Sequence, residues 1–184
     1  MGMASAPIYY TADMVRAMPD DGNRYEVVYG ELLVTPAPGA WHQRVVLRLG
    51  SALETYLSRQ PAVGVAFTAP ADISWGRDVL IQPDVFVVAV EEARTLDWTR
   101  MRTLRLVGEV LSPSTARGDR VLKRLRYREA GVPLYWVVDA DERLVEVWAP
   151  ADDFPAIERE RLTWHPQGAG ESFTVALKEL FRPL

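Results

Sequence analysis

The segment Leu106-Val107-Gly108-Glu109-Val110-Leu111 places a single carboxylate inside a run of apolar residues and glycine. This run predicts a short buried strand, and the following Ser112-Pro113-Ser114-Thr115 predicts a polar turn that opens a helix. An ionised glutamate in such a strand costs free energy unless a partner compensates it. Proteins accept that cost most readily where the charge holds a metal ion or takes part in chemistry. Glu109 is therefore the first candidate functional residue.

The composition predicts one soluble globular domain and limits the metal chemistry that Glu109 could support. The chain has 184 residues, of which 48% are hydrophobic and 25% charged, so we expect residues 1–184 to share one core. The absence of cysteine excludes disulfides, thiolate zinc sites and a cysteine nucleophile. With only His42 and His165 as imidazoles, a metal site would be mostly oxygen, which favours Mg²⁺ or Mn²⁺ over zinc.

The first ten residues lack a basic region followed by an apolar core, so no signal peptide is predicted. No apolar run approaches the length that spans a membrane. We therefore expect a cytoplasmic protein without a membrane partner.

Apolar periodicity and turn residues predict alternating helices and strands. The predicted helices cover 11–18, with Thr11 as N-cap, 40–58, about 114–130 and a short turn at 177–180. A hairpin is predicted at 25–34, an antiparallel pair at 63–68 and 72–75, and an interior strand at 85–88. Further strands are predicted at 106–111, 134–138, 144–148, near 161–162 and at 172–175, and 91–102 is predicted to be a polar connection.

This order predicts an α/β (α+β mixed) fold, in which a mixed central sheet is flanked by helices and preceded by an N-terminal hairpin. The Glu109 strand, the next helix and the strand at 134–138 would form a right-handed βαβ unit.

Asp84 is the most promising partner for Glu109. It follows Gln82-Pro83, precedes a strongly β-prone run, and lies 25 positions before Glu109, which permits neighbouring strands. Two nearby carboxylates repel each other unless a cation lies between them. Mg²⁺ needs one or two carboxylates plus carbonyl and water oxygens. The alternative is that Asp84 caps a turn while Glu109 pairs with an arginine.

Lys123 is a candidate because of its residue type and its position. Asp119, Lys123 and Tyr127 are spaced to lie along one helix face. Of 21 basic residues only Lys123 and Lys178 are lysine, and arginine cannot replace a compact ammonium at a tight catalytic site. The alternative is an ordinary Asp119–Lys123 surface pair, worth only about 0.3–0.5 kcal/mol.

Positive charge is concentrated between Arg94 and Arg128. That span holds ten of the 21 basic residues and three acids, although the net charge of the chain is −4. Such a concentration can bind phosphates, or it can be a solvated helix face.

Several motifs together resemble a known family: Gln82-Pro83-Asp84, the run from Glu109 to Thr115, Asp119-Arg120 and Lys123. They resemble the Uma-two family of restriction endonucleases, which belongs to the PD-(D/E)XK nuclease superfamily. The resemblance covers about 24–148 and leaves 151–184 as a C-terminal extension. It implies a restriction-endonuclease-like fold, with Asp84, Glu109 and the Val110 carbonyl as metal ligands.

One position departs from the superfamily pattern. The usual lysine, two positions after the second acid, is Leu111 here, so the resemblance implies that Lys123 supplies the ammonium from the following helix. It also implies accessory roles for Glu31, His42, Gln82 and Asp119. The alternatives are a local hydrogen bond for His42 and an exposed hairpin position for Glu26 and Glu31.

The resulting hypothesis is a Mg²⁺-dependent (or Mn²⁺-dependent) endonuclease that hydrolyses DNA. Its substrate would be duplex DNA, its phosphate contacts would be Arg117, Arg120 and Arg124, and a homodimer would supply a second site for the second strand. One alternative is a catalytically inactive nuclease-fold module that binds nucleic acid or supports assembly. Another is a metal-dependent hydrolase of a small phosphate ester.

Overall fold

The structure is a computed structural model that describes residues 8–112 and 115–183. Its α-helices are α1 (Ala12–Arg16), α2 (Ala40–Leu57), α3 (Val90–Ala93), α4 (Arg124–Glu129) and α5 (Leu177–Leu180). A 3₁₀ turn covers Trp98–Arg100, and a π-helix covers Gly118–Lys123. The strands are β1 (Arg24–Val28), β2 (Glu31–Thr35), β3 (Val65–Thr68), β4 (Ile73–Gly76), β5 (Val79–Ile81), β6 (Val85–Val88), β7 (Leu104–Val110), β8 (Tyr135–Asp139), β9 (Leu144–Trp148), β10 (Ala156–Glu158), β11 (Arg161–Trp164) and β12 (Phe173–Ala176).

The strand that carries Glu109, β7, lies inside a six-stranded mixed sheet with the order β10-β9-β8-β7-β6-β3. It pairs antiparallel with β6 and parallel with β8. The π-helix and α4 connect β7 to β8, which confirms the predicted strand–helix–strand unit. Asp84 directly precedes β6, so the neighbouring strands β6 and β7 bring Asp84 close to Glu109.

The N-terminal hairpin belongs to a separate antiparallel sheet with the order β2-β1-β5-β4. Tyr29 and Gly30 join β1 to β2, and both have a positive φ, of 54° and 77°, as a tight two-residue hairpin turn requires. Strand β5 pairs with β1 and then leads through Gln82 and Pro83 into β6. The two sheets therefore meet at the residues that precede Asp84.

The predicted pairing of 63–68 with 72–75 is wrong. Strand β3 pairs with β6 in the six-stranded sheet, whereas β4 pairs with β5 in the other sheet. Only Arg77 and Asp78 separate β4 from β5, and closing so short a hairpin costs less chain entropy than a longer connection. The nearest strand in sequence is therefore the partner of β4.

The N-terminal helices follow the predictions closely. Thr11 caps α1, because its side chain accepts a hydrogen bond from the Met14 N–H. Helix α2 buries one face against the six-stranded sheet, with Val45, Leu49 and Leu53 in the core.

The connection at 91–102 and the helix predicted from Ser114 to Ala130 differ in detail from expectation. The connection at 91–102 includes the last residues of α3 and a 3₁₀ turn. The predicted helix would start at Ser114, which lies outside the described residues, as do Pro113 and the first seven residues. Residues 118–123 then wind as a π-helix before α4 begins. None of the helices in the described part of the chain is long and apolar enough to cross a membrane.

Candidate active site

Asp84 is buried at the junction of the two sheets and is held from three sides. Its Oδ1 lies 2.8 Å from Arg24 Nη1, and its Oδ2 lies 3.1 Å from His42 Nε2. The Val110 N–H on β7 also donates to Oδ2, at 2.9 Å. Burial opposes ionisation, but the hydrogen bond with His42 and the charge of Arg24 outweigh it and hold the pKa of Asp84 well below its usual range. Asp84 is therefore ionised at neutral pH.

Glu109 is fully buried and lies directly beside Asp84. Its Oε1 accepts a hydrogen bond of 2.7 Å from the Tyr127 hydroxyl, and its Oε2 lies 3.4 Å from the Asp84 backbone nitrogen. Burial raises the pKa of Glu109; the charge of Lys123 opposes this rise, and the neighbouring carboxylates add to it. In this environment Glu109 holds a proton to a higher pH than an ordinary glutamate does.

Lys123 reaches from the π-helix into the same cluster, with only 1% of the residue exposed. Its Nζ lies 2.9 Å from Glu26, 3.2 Å from Asp119 and 3.3 Å from Glu109, measured to the nearest carboxylate oxygen. Burial alone would lower the pKa of Lys123, but these three carboxylates outweigh it and raise the pKa well above its usual value. The ammonium therefore remains charged, so Lys123 can orient groups or stabilise negative charge but cannot serve as a base.

Two members of the cluster, Glu26 and Arg24, lie on β1 and were not identified as site residues from the sequence. Glu26 is 1% exposed and also accepts the Gln82 N–H at 2.7 Å. The hairpin position gave no reason to expect burial. The sequence nevertheless holds the same signal that identified Glu109, because Glu26 precedes the apolar pair Val27-Val28 in a β-prone run.

Among the predicted accessory residues, His42, Gln82 and Asp119 contact the cluster, whereas Glu31 does not. Gln82 acts through its backbone, and its side chain donates to Asp72 at 2.8 Å. Glu31 is exposed at the start of β2, opposite Val28. The structure thus places Glu31 on the hairpin surface, the alternative position that its sequence context allowed.

The three arginines predicted to contact phosphates have different surroundings. Arg120 pairs with Glu146 at 2.7 Å and Asp139 at 3.1 Å, and the Arg124 guanidinium lies 4.2 Å from the centre of the Trp148 ring. Arg117 is exposed. The stretch of positive charge is therefore partly neutralised within the molecule.

The cluster fits a divalent cation by its charge and by its donor atoms. Four carboxylates, Glu26, Asp84, Glu109 and Asp119, surround the permanent cations Arg24 and Lys123, so two negative charges are in excess when all four are ionised and His42 is neutral. In the described part of the chain, no three histidine or acidic side chains form a ready-made metal cage. Mg²⁺ does not need one, since it commonly binds one or two carboxylates and completes its shell with water and substrate phosphate.

A mixed sheet whose adjacent strands present Asp84 and Glu109 to a buried lysine defines a restriction-endonuclease-like fold. The sequence model of the Uma2 family, described as "Putative restriction endonuclease", matches residues 12–177. The chain belongs to this family, and the family places it among the nucleases, whose substrates are nucleic acids.

The fold also matches the crystal structure of a "putative nuclease belonging to DUF820" from Anabaena variabilis. The TM-score is 0.75 at 21% sequence identity, over 94% of this chain and 97% of that chain. This likeness confirms the restriction-endonuclease-like fold expected from the sequence. The comparison with curated proteins gives no match.

Proposed function

We propose that the protein is a Mg²⁺-dependent (or Mn²⁺-dependent) endonuclease that hydrolyses DNA phosphodiester bonds. The observation that carries the proposal is the buried cluster in which Asp84 lies beside Glu109 and Lys123 Nζ lies 3.3 Å from the Glu109 carboxylate. Family membership supplies the nucleic acid as substrate class. Our proposal adds that the protein hydrolyses this substrate, that it needs the metal ion and that the polymer is DNA.

Asp84, Glu109 and the Val110 carbonyl would hold the metal ion. Bound Mg²⁺ or Mn²⁺ supplies a Lewis acid that polarises a phosphoryl oxygen and lowers the pKa of a water molecule. Arg24 and His42 fix the Asp84 carboxylate, and Tyr127 fixes that of Glu109. These contacts preorganise both acids, so little reorganisation is needed when a cation binds.

Lys123 would stabilise the negative charge that develops on the phosphate or orient the attacking water. A charge fixed in a buried site acts strongly because water does not screen it. Glu26 and Asp119 hold this ammonium in place, at 2.9 Å and 3.2 Å from its Nζ. The helix thereby supplies the cation that the superfamily pattern would place at Leu111.

Outside the buried cluster, exposed Arg117 would contact DNA phosphates and give affinity that falls with salt. Duplex DNA as the substrate and a homodimer with two sites remain predictions from the sequence.

Cleavage of labelled DNA tests the proposal directly. We expect hydrolysis with Mg²⁺ or Mn²⁺ and none with EDTA, because two buried acids without a cation repel a phosphate. Metal binding without turnover on any DNA or RNA would contradict the proposal and favour a catalytically inactive nuclease-fold module. Turnover of a small phosphate ester but not of DNA would favour the third candidate function.

Metal binding should release a proton from Glu109. An acid with a raised pKa is protonated below that pKa, so a cation must displace the proton, and metal affinity should fall as the pH is lowered. The fall should begin at a higher pH than for an ordinary glutamate, whose pKa is about 4.3. Calorimetric titration in buffers of different ionisation enthalpy measures the released protons. The Glu109→Gln variant is the control, and equal heats in all buffers for the wild-type protein would contradict the assignment.

A further inference from the structure

A cavity of about 490 Å³ opens beside the cluster and includes Asp84, Arg24 and His42 in its wall. About half of the remaining wall is apolar, with Met18, Pro38, Val46 and Leu80 among its residues. Its volume lies within the range of about 300–1,000 Å³ that is typical of sites for small molecules. The cavity can therefore enclose a single nucleotide unit, while a continuous duplex is far larger than such a site.

The charges in the wall do not suit a duplex either. Double-stranded DNA carries about one negative charge per 1.7 Å of its axis, and its binding proteins neutralise many phosphates with lysine and arginine. The cavity wall contains two arginines, and both are paired with acids: Arg16 with Asp13 at 2.9 Å and Arg24 with Asp84 at 2.8 Å. Since Asp20 and Asp72 also line it, the wall offers no surplus of positive charge for a run of phosphates.

Other groups in the wall suit a nucleobase. Asn23 and Gln43 line the cavity; the Asn23 side chain interacts with Asp21 and Tyr25, whereas the Gln43 amide makes no hydrogen bond within the described residues. Such an amide can donate and accept at once, as reading a base edge requires. Tyr25 also lines the cavity, and its hydroxyl donates to Asp21 at 2.7 Å, which anchors the ring. Aromatic side chains stack on bases of any sequence.

We propose that this cavity, the base pocket, receives the base of one unpaired nucleotide next to the phosphate to be cleaved. The proposal rests on the proposed nuclease function and gives its substrate class as single-stranded or locally unpaired DNA. Gln43 contacts the base edge, while Tyr25 and the apolar part of the wall cover its faces. The base thereby fixes the position of its own phosphate beside Asp84.

Binding in EDTA tests the base pocket without any turnover. The probe is a labelled single-stranded thymidine oligonucleotide, compared by fluorescence anisotropy with a fully paired duplex of the same length. We expect the single strand to bind at least about tenfold more tightly, a difference of about 1.4 kcal/mol. Ala37→Trp fills the pocket from an exposed loop and should remove this preference. Ala151→Trp places the same side chain on an exposed turn outside the pocket and should leave it unchanged.

Equal or tighter binding of the duplex, or wild-type binding by the Ala37→Trp variant, would overturn the base pocket. Cleavage with Mg²⁺ separates this failure from failure of the nuclease function. If a paired duplex is cut as fast as one with a single unpaired thymidine, the nuclease stands and the pocket fails. If no DNA is cut but the binding preference and its loss in Ala37→Trp hold, the nuclease proposal fails and the pocket stands.

Discussion

Replacing Lys123 with methionine should lower the free energy of unfolding by about 3–5 kcal/mol, the usual cost of removing one partner from a buried ion pair. The methionine side chain fills similar space, so the loss comes from charge. Glu26, Glu109 and Asp119 would lose the ammonium that now contacts all three, so any negative charge that they carry in the protein interior would be uncompensated. Urea denaturation at neutral pH measures this loss, and DNA cleavage should fall at least about 10²-fold in the same variant.

The chain provides a matched control, because its other lysine, Lys178, is exposed on α5. Lys178→Met should change stability by no more than about 0.5 kcal/mol. The loss of unfolding free energy in Lys123→Met should also become smaller as the pH is lowered, since the uncompensated carboxylates then take up protons and lose their charge. A deficit below about 1 kcal/mol that does not vary with pH would show that Lys123 does not compensate these acids.

The variants Asp84→Asn and Glu109→Gln should both abolish cleavage but should differ in stability. We expect each to reduce the cleavage rate at least about 10²-fold, because each removes a metal-binding carboxylate. Asp84→Asn should also lower the free energy of unfolding by about 1.5–3 kcal/mol, since the carboxylate accepts charged hydrogen bonds that an amide accepts less well. Glu109→Gln should change it by less than about 1 kcal/mol, because burial already disfavours the charge that is removed.

The pH dependence of the two variants follows from the opposite pKa shifts of the two acids. The folded-state pKa of Asp84 is lowered, so its contribution to stability is complete above the unfolded pKa of about 3.9 and disappears as the pH falls through the folded value. For Glu109 the folded-state pKa is raised, so ionising it as the pH rises reduces stability in the absence of metal. Urea denaturation in EDTA, from acidic to neutral pH, measures both the loss of the Asp84 contribution and the cost of ionising Glu109. Equal stability losses in the two variants at neutral pH would contradict this difference between the sites.

Much of the fold could be predicted because local patterns agree with the final structure. Helix α2 and the strands at 85–88 and 134–138 have strong periodicity or β-propensity, and the turn residues between elements mark their ends. The pairing of β3 and β4 could not be predicted with the same success. Both strands are short, and each could pair either with a strand next to it in the sequence or with a distant one. In the structure β4 pairs with β5 through a two-residue turn, whereas β3 pairs with β6 in the larger sheet. The division of the strands into two larger sheets has no local signal.

Part of the candidate site was also visible in the sequence. Asp84 and Glu109 stand out because an acid in an apolar strand is costly, and the fold brings the two acids together at adjacent strands. The burial of Glu26 depends on how the hairpin sheet meets the larger sheet, which sequence periodicity does not report. The partners of Arg120 and Arg124 lie on β8 and β9, so their ion-pairing and ring contacts required the tertiary structure.

The π-helix at Gly118–Lys123 sets a strict limit on chain length. One residue added to or removed from an α-helix turns every later side chain by about 100° around the axis, and in the wider π-helix the rotation is somewhat smaller. A single insertion or deletion between Asp119 and Lys123 would therefore direct the ammonium away from the carboxylates, even if every catalytic residue type were kept. The connection between α3 and β7 is mostly exposed apart from the buried Met101, and it carries no residue of the buried cluster. Among relatives of this protein, length changes should accordingly accumulate in that connection and be absent from the π-helical segment.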